Sequence, residues 1–193
     1  MLNSQLEASL RQGFKRFNPF MVALFRLGLG PFVNAWPEVG GRILVLAHRG
    51  RRTGRRRLTP VNYAVVHGDV YITAGFGSVA DWYRNLQNDP QVEIWLPDGW
   101  WAGVAEDVSD SPERLPLLRQ VLIGSGIVAP LMGVDPRALD DERFKALTAG
   151  YRLVRLRRTE ARTGPDGPGE LAWVWPLAVI LLLPFAVRPR RRC

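Results

Sequence analysis

From residue 42 to residue 158 the apolar positions come in short groups that are typical of β-strands. Turn sequences such as His67-Gly68-Asp69 and Pro97-Asp98-Gly99 separate these groups and indicate hairpins. The pattern predicts six strands, at 43–47, 58–66, 70–74, 92–96, 100–108 and 151–158. There is no regular alternation of strands and helices, which argues against a doubly wound parallel sheet. We therefore expect an α+β, mainly β fold: a small antiparallel barrel with flanking helices.

Three helices are predicted at the edges of this barrel. A short one over 79–88 has Ser78 as a candidate N-cap and is ended by Asp89-Pro90. The next spans 110–123, because its first residues combine a capping aspartate, a proline and an early acid. A third is expected over 140–149.

Residues 1–36 precede the strands and are expected to be an N-terminal amphipathic helical segment. The pattern predicts a helix over 4–17 and a second segment over 19–33 that begins at Asn18-Pro19. The apolar face of this segment admits two interpretations. It lies on a membrane, or it packs on the core of the barrel domain.

The longest apolar stretch lies near the C-terminus, where residues 171–187 carry no charge. A linker rich in glycine and proline, 161–170, precedes it, and four arginines lie within 188–192. As a helix this stretch would be about 26 Å long, against a hydrocarbon core of about 30 Å. Trp173 and Trp175 at its start are typical interfacial anchors. We predict a membrane-associated C-terminal apolar helix, either transmembrane or within one leaflet. The alternative is a buried helix of the domain.

Charge adds a second constraint, since 26 Lys and Arg against 18 Asp and Glu give a net charge of +8. Only Lys15 and Lys145 are lysines. Such a basic chain indicates an anionic partner: nucleic acid, a membrane surface or a phosphorylated small molecule. The single cysteine, Cys193, excludes an intrachain disulfide and any Cys-based zinc site. No acidic cluster accompanies His48 or His67, so we interpret both as structural and predict no metal site.

Six arginines and two glycines lie within residues 49–57, between the first two predicted strands. Glycines let backbone N–H groups turn toward an anion, and guanidinium groups bind phosphate with two hydrogen bonds. A polyanion cradle, a nucleic-acid patch and a solvated loop all fit this composition. The tryptophans do not interleave with the arginines, so we expect no nucleic acid.

A second glycine-rich turn, residues 74–78, leads from a strand into the helix over 79–88. Such a turn places backbone donors and a helix N-terminus at one point. It is therefore a candidate site for an anion or a ring carbonyl.

Three motifs follow one another along the strands and turns of the predicted barrel. They are Arg49-Gly50-Arg51-Arg52-Thr53-Gly54 with Arg57 and Pro60, Ala74-Gly75-Phe76-Gly77, and Trp82-Tyr83-Arg84-Asn85-Leu86 with Asp89-Pro90. In their order and spacing the sequence resembles the deazaflavin-dependent nitroreductase family over roughly residues 42–158. The resemblance implies a split β-barrel oxidoreductase that binds coenzyme F420, a 5-deazaflavin with a phosphate and a polyglutamate tail.

The resemblance also implies which residues contact the cofactor. On the phosphate and tail side they are Arg51, Arg52, Thr53, Gly54, Arg55, Arg57 and Pro60. On the ring side they are Ala74, Gly75, Phe76, Gly77, Trp82, Tyr83 and Asn85. Hydride transfer requires no acid–base residue, so none is assigned. For Trp82 the alternative is a core anchor of its helix.

The acceptor is expected to be lipophilic. Nitroimidazole-reducing members line the substrate side with tyrosines from the later helical region, whereas residues 121–134 here are apolar and hold no tyrosine. A quinone with an isoprenoid tail suits this lining better, with nitro compounds as a further class. Two other interpretations stay open: the same barrel with FMN, and a non-catalytic membrane protein that binds F420 or lipid.

The chain is accordingly divided into four parts. These are the helical segment 1–36, the deazaflavin-binding barrel 37–160, the linker 161–170 and the membrane-associated segment 171–193. We expect the protein at a membrane, with its catalytic domain on the cytoplasmic side.

Overall fold

The computed structural model describes residues 4–186, and at its centre six antiparallel strands close into a barrel. The order around the barrel is β1-β2-β3-β6-β5-β4. The strands are β1 (Ile43–Arg49), β2 (Arg56–Val66), β3 (Asp69–Ala74), β4 (Gln91–Leu96), β5 (Gly99–Asp107) and β6 (Arg152–Ala161). The predicted fold class, with its six strands, is confirmed.

Eight helices are described, and most lie around the barrel. They are α1 (Ser4–Arg26), α2 (Gly30–Val33), α3 (Pro37–Gly40), α4 (Asp81–Asn88), α5 (Arg114–Ile123), α6 (Val128–Leu131), α7 (Asp141–Leu147) and α8 (Val174–Ala186). Helices α4, α5 and α7 match the three predicted at the barrel edges, and α6 was not predicted. The side chain of Asp140 caps α7 by accepting a hydrogen bond from the backbone N–H of Arg143 at 2.8 Å.

Tight turns make the barrel closure possible. His67 and Gly68 alone separate β2 from β3, and both have positive φ, 51° and 88°. Two successive residues with positive φ form the turn whose twist matches that of paired strands.

Strand β1 is buried on both faces and is therefore a continuous apolar segment in the sequence. Leu44 and Leu46 belong to the cluster that fills the barrel. Val45 points the other way and packs with Phe25 of α1 and Trp95 of β4. Helices α5 to α7 cover a second outer face of the barrel, where Phe144 and Leu118 are fully buried.

The N-terminal helix differs from the prediction of two segments. Residues 4–26 form one helix with Pro19 inside it, so Asn18-Pro19 is not a helix start. A proline removes one helical hydrogen bond, and packing beyond it offsets that loss. Met21 and Phe25, four residues apart, are almost fully buried against the barrel side. The core-packing interpretation therefore holds for the second half of α1.

The prediction for the N-cap of α4 is also wrong. Ser78 lies in a short 3₁₀ turn, 77–79, and Ala80 occupies the N-cap position without a side-chain hydrogen bond. The acidic Asp81 in the first turn interacts favourably with the helix dipole instead.

The segment that precedes α8 is tied to the end of α1. The backbone N–H groups of Gly169 and Leu171 donate to the carbonyls of Phe25 and Arg26 at 2.9 and 2.8 Å. Arg26 also forms an ion pair with Glu170. The predicted linker thus has fixed contacts with the body of the protein.

Helix α8 itself is apolar and extensively exposed. Among residues 4–186, no helix combines the length and apolar character needed to cross a bilayer, so the predicted transmembrane helix finds no support. The predicted arginine tail, 188–192, lies outside the described residues.

Candidate functional site

A cavity of about 550 Å³ opens beside α4 at one end of the barrel. Its walls come from distant parts of the sequence: the arginine loop 50–55 between β1 and β2, the first half of β2, the turn after β3, and the α5–α6 region. The loop end is cationic and the α5–α6 end is apolar.

Ten of the fourteen predicted site residues line this cavity. They are Arg51, Arg52, Thr53, Arg57, Pro60, Ala74, Gly75, Phe76, Trp82 and Asn85. The two glycine-rich motifs therefore meet at one site, as their assignment to one ligand requires. Gly54, Arg55, Gly77 and Tyr83 do not line it.

Tyr83 is an anchor of α4 and does not face the cavity. Its ring belongs to the cluster inside the barrel, and its hydroxyl donates a hydrogen bond to Asp107. Burial, followed by the bond to Asp107, raises the pKa of Tyr83 to about 12. Trp82, the preceding residue, does line the cavity while also packing on the barrel cluster.

Gly77 has a backbone role next to the cavity. Its φ is 62°, and a Cβ at this position would lie 2.4 Å from the carbonyl oxygen of Gly150. Only glycine fits such a close approach of two chain segments. Gly75 is different, because a Cβ there would lie 3.7 Å from the ring of Tyr151, an ordinary contact distance.

Five of the six arginines within residues 49–57 fall into two groups, and the sixth, Arg55, does not line the cavity. In the first group each guanidinium faces a carboxylate: Arg49 faces Asp89 at 3.8 Å, Arg51 faces Asp81 at 3.1 Å and Arg56 faces Glu93 at 2.6 Å. In the second group, Arg52 and Arg57 line the cavity, and the guanidinium of neither forms an ion pair or hydrogen bond with any residue of the described chain. These two cations are therefore the ones placed to hold an anion.

Asn85 connects the arginine loop to α4 and is itself buried. Its Oδ1 accepts hydrogen bonds from the backbone N–H of Arg51 at 3.1 Å and from Nη1 of the same residue at 3.0 Å. Its Nδ2 lies 3.3 Å from Nδ1 of His48. Asn85 thus fixes the shape of the loop as well as facing the cavity.

His48 lines the cavity, although its sequence context predicts only a structural role at the end of a strand. It is buried, and its Nε2 lies 3.0 Å from Oγ1 of Thr59. Burial lowers the pKa of His48 to about 4; a backbone hydrogen bond with Arg49 opposes this shift, and the nearby Arg57 cation adds to it. The imidazole is therefore neutral at pH 7.

The other end of the cavity is apolar. Leu122, Val128, Ala129 and Met132 line it, all from the region that was predicted to form the substrate side. Tyr151, just before β6, adds a phenol whose pKa is raised by burial. The cavity therefore does contain a tyrosine, which comes from a segment after the tyrosine-free region 121–134.

Several lining residues were missed by the sequence reasoning. They are Asn18, His48, Gly50, Thr59, Val61, Asn62, Thr73, Val79, Ala80, Asp81 and Tyr151. Thr59 and Val61 could have been found from strand periodicity, because they alternate with the predicted Arg57 on one face of β2.

Comparison with known families gives one match. The profile of the family described as F420H(2)-dependent quinone reductase matches residues 21–123, just over half of the chain. No curated protein matches the sequence at a significant level.

Solved structures with a similar fold were also found. A conserved hypothetical protein from Mycobacterium tuberculosis is 24% identical over 74% of this chain and 84% of its own, with a TM-score of 0.46. A protein described as F420 reductase is 20% identical over 67% and 94%, with a TM-score of 0.44. HutZ, described as a heme storage protein of Vibrio cholerae, is 18% identical over 72% and 96%, with a TM-score of 0.45. Each TM-score is below 0.5, so the likeness of these three structures to this chain is distant.

Proposed function

Because the chain belongs to the F420H(2)-dependent quinone reductase family, we propose that it delivers a hydride from reduced F420 to a lipophilic quinone. As a member of that family the protein is an oxidoreductase that uses coenzyme F420. The nature of the acceptor and the roles of individual residues are the proposed part.

The cationic end of the cavity fits the phosphate of this cofactor. Arg52 and Arg57 face the cavity without an ion pair among the described residues, and guanidinium groups bind phosphate strongly. Gly50 and Thr53 line the cavity as well, and the Thr53 hydroxyl adds a polar side-chain group. These residues would hold the phosphate and the beginning of the tail.

The turn after β3 fits a planar ring. Ala74 and Gly75 present little more than backbone to the cavity, and Trp82 and Phe76 flank them with aromatic surface. A flat ring needs such a close approach of the backbone on one side. These four residues would hold the deazaflavin ring.

The protein's contribution to the reaction is placement and exclusion of water. When bound, reduced F420 supplies a hydride and a proton, so that a quinone becomes a quinol and the cofactor returns to its oxidised form. The apolar wall of Leu122, Val128 and Met132 would hold the acceptor against the ring and keep water away. The phenol of Tyr151 is protonated at neutral pH, as a tyrosine ordinarily is, and is therefore a hydrogen-bond donor at the cavity, and burial raises its pKa further.

The single observation that carries the choice of acceptor is this apolar wall. A hydrophobic wall discriminates by the apolar area it buries, at about 25 cal/mol per Å². A quinone with an isoprenoid tail gains from that burial, whereas a small polar nitro compound does not.

A series of quinones with one head group and increasing tail length tests this proposal. Reduced F420 and the protein are mixed with each quinone in detergent without oxygen, and cofactor oxidation is followed by absorbance. We expect kcat/KM to rise with the first isoprene units and to exceed the value for a nitroimidazole. Equal values across the series, or a faster nitroimidazole, would refute a lipophilic quinone as the preferred acceptor.

We further propose that the protein meets this acceptor at a membrane, with the catalytic domain on the cytoplasmic side. Support comes from α8, where Ile180, Leu181 and Leu182 are each about two-thirds exposed. The exposed Phe32 and Trp36 lie close in sequence to the α1 end that holds the segment before α8. Apolar side chains exposed on such a scale are unfavourable in water and favourable at a lipid interface.

A further inference from the structure

We propose that His48 is a positioning residue that makes the Thr59 hydroxyl a hydrogen-bond donor into the cofactor cavity. The inference rests on F420 being bound in this cavity and does not depend on which acceptor is reduced. It follows from the direction of three successive hydrogen bonds that begin at Arg51.

The first step is the orientation of the Asn85 amide. Both groups of Arg51 that approach this amide, the backbone N–H and Nη1, can only donate hydrogen bonds. The atom they approach must therefore be the oxygen, Oδ1. The other amide atom, Nδ2, consequently faces His48 and carries hydrogens.

The second step is the tautomer of His48. Nδ2 of Asn85 donates to Nδ1 of His48, so Nδ1 must carry a lone pair. A neutral imidazole with a lone pair on Nδ1 carries its hydrogen on Nε2. The low pKa of His48 agrees with this neutral form.

The third step is the direction of the Thr59 hydroxyl. Nε2–H of His48 donates to Oγ1 of Thr59 at 3.0 Å, which occupies one lone pair of that oxygen. The hydroxyl hydrogen cannot point back at His48. No other residue in the described part of the chain hydrogen-bonds to this hydroxyl, and Thr59 lines the cavity. Its hydrogen is therefore available to a ligand.

The expected ligand atom is an oxygen that accepts hydrogen bonds. Arg57 lies two residues from Thr59 on the same face of β2, lines the same cavity and has no ion pair among residues 4–186. A hydroxyl donor beside an unpaired guanidinium suits an oxygen with negative charge, such as one of the phosphate. A ring carbonyl of the deazaflavin is the second source of the same chemistry.

The tautomer is tested first, without cofactor. Long-range ¹H–¹⁵N spectra of the ligand-free protein at pH 7 should show His48 with its hydrogen on Nε2. A spectrum with the hydrogen on Nδ1 would overturn the proposal, whatever the outcome of binding experiments.

Binding of F420 to four variants then tests the role of the hydroxyl. Thr59→Val, which keeps the shape and loses the hydroxyl, should weaken F420 binding at least about tenfold, because a hydrogen bond to a charged group is lost. Thr59→Ser should bind like wild type. His48→Leu should weaken binding, and His48→Gln, which can accept from Asn85 and donate to Thr59, should restore most of the affinity.

Coupling between the two residues separates positioning from a general structural role. His48→Leu should cost affinity in the wild-type background and little or nothing in the Thr59→Val background. Equal costs in both backgrounds would mean that His48 acts independently of Thr59 and would refute the proposal. If His48→Leu does not fold, the spectrum of the ligand-free protein and the comparison of Thr59→Val with Thr59→Ser still test the proposal.

The phosphate-free deazaflavin riboside distinguishes the two sources of the acceptor oxygen. If Thr59 serves the phosphate, Thr59→Val should bind this riboside as wild type does. If it serves the ring, the loss should be the same for riboside and cofactor. No loss with either ligand would show that the hydroxyl does not serve the cofactor at all.

Discussion

Arg51 approaches Asn85 with two donors at once, its backbone N–H at 3.1 Å and its guanidinium Nη1 at 3.0 Å from the same Oδ1. The guanidinium also pairs with Asp81, so this arginine is engaged within the protein. It fixes the loop so that Arg52 and Arg57 can face the cavity. Arg51 thus fixes the conformation of the loop, and Arg52 and Arg57 remain available to bind an anion.

The first prediction concerns Arg52 and Arg57. Replacing both with Ala should weaken F420 binding by a factor of at least about 100, because each charge-assisted contact contributes about 1.5–3 kcal/mol. Fluorescence titration with F420 measures the dissociation constant. Arg56→Ala is the matched control, because Arg56 pairs with Glu93 and does not line the cavity. Unchanged affinity in the double variant would show that the phosphate does not bind at this end of the cavity.

The second prediction concerns Gly75. A Cβ has room there, with Tyr151 at 3.7 Å, but the two methyl groups of a valine would project into the space assigned to the ring. Gly75→Val should abolish F420 binding while the melting temperature stays close to that of wild type. Gly75→Ser should still bind. A valine variant with normal affinity would place the ring elsewhere.

The strands of the barrel could be predicted because the features that mark them lie close together in the sequence. Alternation of apolar residues marks the strands, and turns such as His67-Gly68 carry the backbone conformation that a hairpin needs. Pro19 misled the prediction because a proline marks a helix start by local rules. Burial of Met21 and Phe25 beyond it, which depends on the barrel, keeps the helix continuous.

Most of the predicted site residues do line the cavity, whereas the pairing of their side chains could not be predicted from the sequence. Which arginines are paired depends on partners about 30 residues away, as with Arg51 and Asp81. His48 showed no partner in the sequence because Asn85 reaches it only through packing of α4 on β1. Tyr83 and Trp82 are adjacent in the sequence, and only the docking angle of α4 sends one into the core and the other to the cavity.

The third prediction is a pH dependence of folding stability. The pKa of His48 is about 4 in the folded protein, against an ordinary value of 6.5, so the unfolded chain binds more protons between these two values. The stabilising contribution is complete above pH 6.5 and is lost as the pH falls toward 4. It corresponds to about 3 kcal/mol.

Denaturant unfolding of wild type and His48→Gln from pH 7 to about pH 4.5 measures this contribution. The glutamine does not titrate, so the difference in unfolding free energy between the two proteins should change in favour of the variant as the pH falls. Carboxylates titrate equally in both and cancel. Parallel curves would show that His48 has an ordinary pKa.

The fourth prediction concerns α8. A chain that ends at Ala172 keeps the contacts of Gly169 and Leu171 with α1 and loses the exposed apolar helix. It should fold, bind F420 and reduce a short-chain quinone, and it should no longer bind lipid vesicles. Flotation of full-length and shortened protein with vesicles measures this. The double variant Ile180→Asp with Leu181→Asp is the full-length control and should also fail to float. Equal flotation of all three would refute lipid binding through α8.

The central claim is tested most directly by measuring how much quinol forms for each reduced F420 that is oxidised. Equal amounts of reduced F420 and an isoprenoid quinone are mixed without oxygen, with and without the protein, and both products are quantified. We predict that one quinol forms for each F420 regenerated, many times faster with the protein than without it. A rate that the protein does not change would contradict hydride transfer by this protein, as would oxidation of the cofactor without matching quinol.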